Sequence, residues 1–81
     1  MARVVFPADM QSFTDGRPYA DVSASSFPEL VEELCQRFPA LDRDTIGKYS
    51  LAIDGMIIHT PMLETFGHDS ELVFVTRIAG G

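Results

Sequence analysis

Residues 26–39 read SFPELVEELCQRFP and decide the fold, because they are the longest stretch of the chain with helical periodicity. Apolar side chains recur every three or four positions in this stretch, and glutamates with other polar side chains take the positions between them. The apolar stripe consists of Phe27, Leu30, Val31, Leu34, Cys35 and Phe38. This spacing predicts an amphipathic helix that packs its stripe against a sheet.

Both ends of this helix carry sequence signals. Ser26 and Glu29 have the spacing of a capping box, in which each side chain pairs with a backbone N–H that the first turn leaves free. Pro28 suits the first turn, because the N–H that proline lacks has no helical partner there. Pro39 disfavours helical backbone at the residue before it. We therefore predict a helix that begins at about Phe27 and ends before Pro39.

Segments rich in β-branched and aromatic residues flank the helix and predict strands. The predicted strands span residues 2–6, 19–24, 49–53, 56–58 and 71–78. The dipeptide Asp54-Gly55 supplies the positive φ values of a two-residue type I′ turn, so the third and fourth strands form a hairpin. Residues 7–18 are rich in turn formers and predict a long loop. Residues 40–48 predict an irregular turn or a short helix, with Leu41 and Ile46 as apolar anchors.

The order of these elements, two strands, one helix and three strands, predicts a mixed α+β roll. If the first and last strands are central and parallel, the right-handed crossover rule lays the helix across one face of the sheet. That arrangement is the β-grasp, or ubiquitin-like, roll, with a mixed sheet covered by one main helix. A ferredoxin-like fold would need a second long helix, and the sequence holds no second helical pattern of that length.

Composition limits the kind of protein this is. With 81 residues, 46% of them hydrophobic, the chain has material for one core and one domain. Its net charge of −6 opposes binding to phosphate backbones, so nucleic acid is not expected as a partner. The single cysteine, Cys35, cannot form an internal disulfide, which favours a reducing, cytoplasmic setting. Because no stretch matches a signal-peptide core or a membrane span, we expect a soluble protein that does not bind membranes.

The printed sequence ends in Ala79-Gly80-Gly81, directly after the last predicted strand. We expect residues 1–78 to form the β-grasp domain and residues 79–81 to form a narrow, flexible tail, because glycine has no side chain to pack. A terminal carboxylate at Gly81 is ionised at neutral pH and inert to nucleophiles, so chemistry there needs activation by another protein. Adenylation by ATP supplies a leaving group, after which a sulfur nucleophile can attack the acyl carbon.

The last strand also predicts a docking surface. Strand alternation puts Val73, Val75 and Arg77 on one face of the sheet, whereas the single helix can cover only one face. We therefore expect these three residues to lie on an uncovered face beside the tail and to contact the activating enzyme. Met10 and Phe13, from the long loop, are candidate additions to this surface. The alternative is that the loop folds over the same face and hides it.

Over most of its length the chain resembles the ubiquitin-like sulfur carriers of the ThiS and MoaD type. The likeness covers the opening strand, the helix with its Arg37-Phe38-Pro39 ending, the Asp54-Gly55 hairpin and the closing strand. The helix and the Ala79-Gly80-Gly81 ending are its most specific parts. Residues 7–17 are similar to those of carriers outside the thiamin branch. Thr76-Arg77-Ile78 stands where molybdopterin carriers usually have a Pro-rich segment.

The resemblance implies a carrier protein rather than an enzyme. In such a carrier Gly81 is adenylated by a ubiquitin-activating-enzyme-like adenylyltransferase, which itself uses ATP and Mg²⁺ while the carrier binds no cofactor. A sulfur donor then converts the adenylate to a thiocarboxylate. A synthase accepts the sulfur for molybdopterin, cysteine or a specialised metabolite, and Ala79 and Gly80 form the tail that enters the partner. The alternative is a β-grasp protein-interaction module that is never activated at its C-terminus.

The remaining reactive side chains favour structural roles. Cys35 lies in the apolar stripe of the helix, where a thiol serves as core filler. His59 and His68 fall on different elements, so we expect no metal site. The aspartates show no paired spacing that suggests general acid and base catalysis, and no nucleophile lies beside a base. The sequence therefore predicts no catalytic residues of its own.

Overall fold

The computed structural model describes residues 1–58 and 64–77. Within them the secondary-structure elements follow the predicted order, with one 3-10 helix added and a short helix within residues 40–48. The elements are β1 (Ala2–Val5), a 3-10 helix (Ala8–Phe13), β2 (Tyr19–Val22), α1 (Phe27–Arg37), α2 (Arg43–Ile46), β3 (Tyr49–Ile53), β4 (Met56–Ile58) and β5 (Glu71–Thr76). No helix among the described residues has the length and apolar character to cross a bilayer.

The strands form one mixed sheet in the order β2-β1-β5-β3-β4. β1 and β5 are parallel neighbours, with Val4 opposite Leu72, and the other pairs are antiparallel. The first and last strands are therefore central, as predicted, and the connection between β1 and β5 contains α1. This is the β-grasp arrangement, and the predicted fold class is confirmed.

Helix α1 begins and ends at the predicted residues. The Ser26 hydroxyl accepts a hydrogen bond from the Glu29 N–H at 3.4 Å. In a standard capping box the Glu29 carboxylate would accept a hydrogen bond from the Ser26 N–H. Here it accepts from the N–H and the hydroxyl of the preceding residue, Ser25, each at 3.0 Å. These bonds lower the pKa of Glu29. At the other end Phe38 has extended backbone before Pro39, and the helix stops at Arg37.

The apolar stripe of α1 packs on the sheet, as predicted. Leu30, Val31, Leu34 and Phe38 are buried, while Phe27 and Cys35 are partly buried and pack against the edge of the same core. The largest contacts are aromatic. Phe6 meets Phe38 edge to face at 5.8 Å and stacks on Phe74 at 6.3 Å, and Tyr49 meets Phe74 edge to face at 6.3 Å. These rings join the residues that directly follow β1 and α1 to β3 and β5 in one core.

Residues 7–18 contain the 3-10 helix, where the sequence predicted only a loop. Met10 from this helix is completely buried in the core. Its burial stabilises a 3-10 helix that local propensity alone does not specify. Thr14 closes the segment, because its N–H donates to the Gln11 carbonyl at 3.1 Å and its hydroxyl donates to the Arg17 carbonyl at 3.0 Å. The long loop is therefore an ordered part of the fold.

Helix α2 is the short helix that was one of two expectations for residues 40–48. The Asp42 carboxylate caps it by accepting a 2.7 Å hydrogen bond from the Thr45 N–H. Leu41 and Ile46 are both 1% exposed and serve as the predicted anchors.

β2 is shorter than predicted and stops at Val22, because the N–H groups of the next two residues donate to the Glu33 carboxylate of α1 instead of to a neighbouring strand.

The β3–β4 hairpin has the predicted turn. Asp54 and Gly55 have φ values of +49° and +88°, as a type I′ turn requires. The same aspartate fastens the turn to the start of β5. Its N–H donates to the Glu71 carbonyl, and its carboxylate accepts from the Glu71 N–H, both at 2.9 Å. β5 begins at Glu71, as predicted, but ends at Thr76, so it is shorter than predicted: Arg77 is described outside the strand, and Ile78 lies outside the described residues.

Candidate functional site

The predicted reactive tail, Ala79-Gly80-Gly81, lies outside the described residues, so the structure describes the strand that leads to it. β5 runs between β1 and β3, and it is paired with β1 from Glu71 to Val73 and with β3 from Leu72 to Thr76. Thr76 is its last residue and lies opposite Tyr49, the first residue of β3. The chain therefore leaves the sheet from a central strand.

The side of the sheet away from α1, here called the second face, carries the predicted docking residues of β5. Val73 and Val75 alternate with Leu72 and Phe74, which are 0% and 2% exposed in the core. Both valines remain partly exposed, and Arg77, next along the strand direction, is exposed. Val5 of β1 is paired with Val73 and extends the same apolar surface. The predicted alternation between a core face and a second face is confirmed for residues 72–75, whereas Thr76 is exposed and Arg77 lies beyond the end of β5.

Two exposed residues of the second face were missed by the sequence reasoning. Ile57 is 54% exposed and lies opposite Ala52 in the β3–β4 pair, while Tyr19 is 46% exposed and lies opposite Val5. Because directly opposed residues point to the same side of a sheet, both belong to the second face. The hairpin register set by the turn already placed Ile57 there, so that signal was present in the sequence.

The expectation that Met10 and Phe13 add to the docking surface is wrong. Met10 is completely buried in the core, and Phe13 packs against the same core. Two apolar side chains on a 3-10 helix gain more by entering the core than by lying on an exposed sheet. The 3-10 helix does not hide the second face, because its apolar side chains pack on the side of the sheet that α1 covers.

Charged side chains border the second face at the end remote from Thr76. The Arg3 Nε donates to the Asp21 carboxylate at 3.1 Å, and the Arg3 guanidinium lies 4.3 Å from the centre of the Tyr19 ring. The hydrogen bond between Arg3 and Asp21 raises the pKa of Arg3 and lowers that of Asp21. Both side chains are about half exposed, so water screens the pair and it adds little to stability. The second face thus has an apolar centre and a charged rim.

Three elements meet where β5 ends. Asp9 of the 3-10 helix accepts a hydrogen bond from the Tyr49 hydroxyl at 3.2 Å and another from the Thr76 hydroxyl, whose oxygen lies 3.3 and 3.4 Å from the two carboxylate oxygens. Desolvation, together with the bond to Asp9, raises the pKa of Tyr49. A cleft of about 400 Å³ opens beside this cluster and is also lined by Lys48.

Other candidate side chains do not converge. Cys35 is partly buried on the core side of α1, and His68 is exposed in the turn before β5. His59 lies outside the described residues. Within residues 1–58 and 64–77, no three His, Cys, Asp or Glu side chains are close enough to hold a metal ion.

Two solved structures share this fold over nearly the whole chain. The solution structure of the small archaeal modifier protein 1 (SAMP1) from Methanosarcina acetivorans matches with a TM-score of 0.76 and 18% sequence identity, over 99% of this chain and 95% of that one. The crystal structure of SAMP1 from Haloferax volcanii matches with a TM-score of 0.66 and 17% identity, over 99% and 98%. No protein-family model and no curated protein sequence matches the chain. The likeness establishes a ubiquitin-like β-grasp fold, as the family resemblance implied.

Proposed function

We propose that the protein is a ubiquitin-like carrier whose Gly81 carboxylate is adenylated by a partner enzyme and converted to a thiocarboxylate that donates sulfur. The observation that carries the proposal is that β5, the strand leading to Ala79-Gly80-Gly81, is a central strand of a β-grasp sheet. Its pairing with β3 continues to Thr76, so the residues after Thr76 start from within the sheet. The structural likeness to two small archaeal modifier proteins supports the same reading.

The proposed chemistry has two steps. A Gly81 carboxylate oxygen attacks the α-phosphorus of ATP, bound with Mg²⁺ on the partner, and pyrophosphate leaves. Hydrosulfide then attacks the acyl carbon and AMP leaves, so one carboxylate oxygen is replaced by sulfur. Where the donor is an enzyme persulfide, the first product is an acyl disulfide, and a thiol must reduce its S–S bond to free the thiocarboxylate. These steps suit a reducing, cytoplasmic setting.

Each part of this chain has a separate role in the proposal. Gly80 and Gly81 carry no Cβ, so the tail is narrow enough to reach a nucleotide in a confined channel. Val73, Val75 and Arg77, with Ile57 added, dock the carrier on its activating enzyme. An interface with an apolar centre and a polar rim matches what the second face offers. A sulfur-accepting synthase for molybdopterin, cysteine or a specialised metabolite takes the product.

A second candidate function shares the first step. The two similar structures are named as modifier proteins, which favours a carrier whose activated carboxylate is transferred to an amine rather than to sulfur. In that case the acyl carbon ends in an amide bond to another protein. The remaining alternative is a β-grasp interaction module that docks through the second face and is never activated.

Intact-mass spectrometry distinguishes these three functions. The protein is incubated with ATP, Mg²⁺, a sulfide source and the organism's own ubiquitin-activating-enzyme-like adenylyltransferase. The carrier function predicts a product in which one oxygen is replaced by sulfur, localised to Gly81 by fragmentation. A modifier gives instead, in cell extract with ATP, a covalent adduct with a second protein. A module that is never activated keeps its original mass in both reactions.

Tail variants test the same proposal. Deleting Gly81, or adding one residue after it, should abolish the mass change, because the reacting carboxylate is lost or displaced. Gly80→Val should slow the reaction sharply by widening the tail and restricting its backbone. Gly67→Ala is the matched glycine control, since its Cβ would meet nothing closer than the Ser70 hydroxyl at 3.9 Å. Full conversion after deletion of Gly81, or sulfur found on Cys35, would exclude the carrier function.

A further inference from the structure

Asp9, on the 3-10 helix, is hydrogen-bonded to side chains at the end of β5 and the start of β3. Its carboxylate accepts hydrogen bonds from the Thr76 hydroxyl, 67 residues away in sequence, and from the Tyr49 hydroxyl. Thr76 is the last residue of β5, and Tyr49 lies directly opposite it on β3. One carboxylate therefore links two neighbouring strands and the 3-10 helix at the point where the chain leaves the sheet.

The groups on either side of Thr76 are themselves well anchored. Met10, the next residue after Asp9, is completely buried, so the helix that carries Asp9 is fixed to the core. Tyr49 is 8% exposed and its ring packs edge to face on Phe74. Thr76, by contrast, is exposed. The hydrogen bond to Asp9 is what connects its side chain to these anchored neighbours.

The protonation states suit this arrangement. Desolvation and the neighbouring carboxylate raise the pKa of Tyr49, so its hydroxyl stays protonated and remains a donor across the neutral range. The oxygen–oxygen distances of 3.2 to 3.4 Å are longer than the usual range of about 2.5–3.0 Å for hydroxyl donors, so each bond is weak. We therefore expect a modest, several-fold effect when the link is removed.

We propose that Asp9 is a positioning residue for the C-terminal reaction, because it holds Thr76 and so fixes the point from which the tail starts. The inference depends on the proposed carrier function. In that function the reacting carbon of Gly81 lies five residues beyond Thr76, a span of at most about 18 Å when fully extended. A start point that moves by a few ångströms is a large error over so short a reach. Asp9 thereby acts through Thr76 and never contacts the reacting atoms.

Matched variants isolate this link. Thr76→Val removes the hydroxyl while keeping a β-branched side chain, and Thr76→Ser keeps the hydroxyl. Asp9→Ala removes the acceptor, and the double variant Asp9→Ala with Thr76→Val tests whether both act through one bond. Asp15→Asn is the charge control, because it removes a carboxylate from the exposed turn after the 3-10 helix, where asparagine also tolerates the positive φ of 56°.

The first measurement is adenylation by the partner enzyme, with the affinity of the carrier determined separately by titration calorimetry. Thr76→Val and Asp9→Ala should each lower kcat by about three- to tenfold, because misplacing a reacting group slows the chemistry, and leave Kd within about twofold. Thr76→Ser and Asp15→Asn should react like the wild type. The double variant should lose no more than the worse single variant. Unchanged kcat, additive losses, or an equal loss of affinity would overturn the assignment.

The second measurement needs no partner. Backbone ¹⁵N relaxation should show lower order parameters at residues 76 and 77 in Thr76→Val and Asp9→Ala than in the wild type, Thr76→Ser or Asp15→Asn. Unchanged order parameters would contradict the link whatever the enzyme assay shows. If the wild type is not adenylated at all, the proposed function fails, and relaxation still decides whether Asp9 holds the end of β5.

Discussion

At the scale of single residues, burial separates side chains that have the same chemistry. Leu34 is completely buried between α1 and the sheet, whereas Ile57 is more than half exposed on β4. Both are aliphatic. Their different roles, one in the core and one on the second face, follow from which side of an element each occupies.

Leu34→Ala should lower the free energy of unfolding by about 2–5 kcal/mol, because it removes apolar contacts and leaves a cavity in a closely packed core. That is a large share of the stability of so small a domain. Urea denaturation measures the change. Gln36→Ala, an exposed position on the same helix, is the control and should stay within about 0.5 kcal/mol of the wild type. A Leu34→Ala effect as small as that of the control would mean that α1 is misplaced.

At the scale of elements, short helices depend on their caps. Helix α2 spans only Arg43–Ile46, too short to be stable by itself, and the Asp42 carboxylate satisfies the Thr45 N–H at its start. That hydrogen bond holds the pKa of Asp42 below its usual value. Because the pKa of Asp42 is lower in the folded than in the unfolded protein, the cap stabilises the fold fully at pH values above the unfolded pKa. Its contribution is lost as the pH falls through the folded value.

Asp42→Ala should therefore lower Tm by a few degrees at pH 7, and the difference from the wild type should shrink as the pH falls below 4, the region of the ordinary Asp pKa. Thermal unfolding followed by circular dichroism across this pH range measures both effects. Asp15→Asn, which removes an exposed carboxylate outside any cap, should show no such convergence. A Tm difference that is constant from pH 7 to pH 2 would contradict the assigned role of the cap.

At the scale of the whole molecule, the two faces of one sheet differ in burial. Every helical segment that the structure describes contributes buried side chains to one face, including Met10, Leu34 and Ile46. The second face keeps partly exposed valines beside the central strand that leads to the tail. A partner that docks on this face would contact apolar surface close to Thr76, the last residue of β5. The charged pair of Arg3 and Asp21 lies at the opposite end of the face.

Val75→Asp should weaken binding to the adenylyltransferase by more than about tenfold, because the new charge would be desolvated against the partner. The fold should persist, since Val75 is only partly buried and the charge can stay in water in the free protein. Gln36→Asp makes the same charge change on the exposed side of α1 and should leave affinity unchanged. Titration calorimetry of each variant measures Kd. Equal affinities for Val75→Asp and the wild type would rule out the second face as the docking surface.

Sequence alone was sufficient for the elements whose signals are local. The stripe and caps of α1, the Asp54-Gly55 turn and the alternation along β5 depend on residues a few positions apart, so periodicity and turn chemistry predicted them correctly. The order of these elements then restricted the fold to the β-grasp, because a parallel pairing of the first and last strands needs a right-handed crossover through α1.

Tertiary structure alone decided the contacts between distant residues. Met10 was expected on a docking surface and lies in the core, and Asp9 meets Thr76 across 67 residues. Neither has a local signal, because each depends on how strands and loops are placed against one another in space. Local propensity specifies which element a residue joins, and only packing specifies which neighbours it meets.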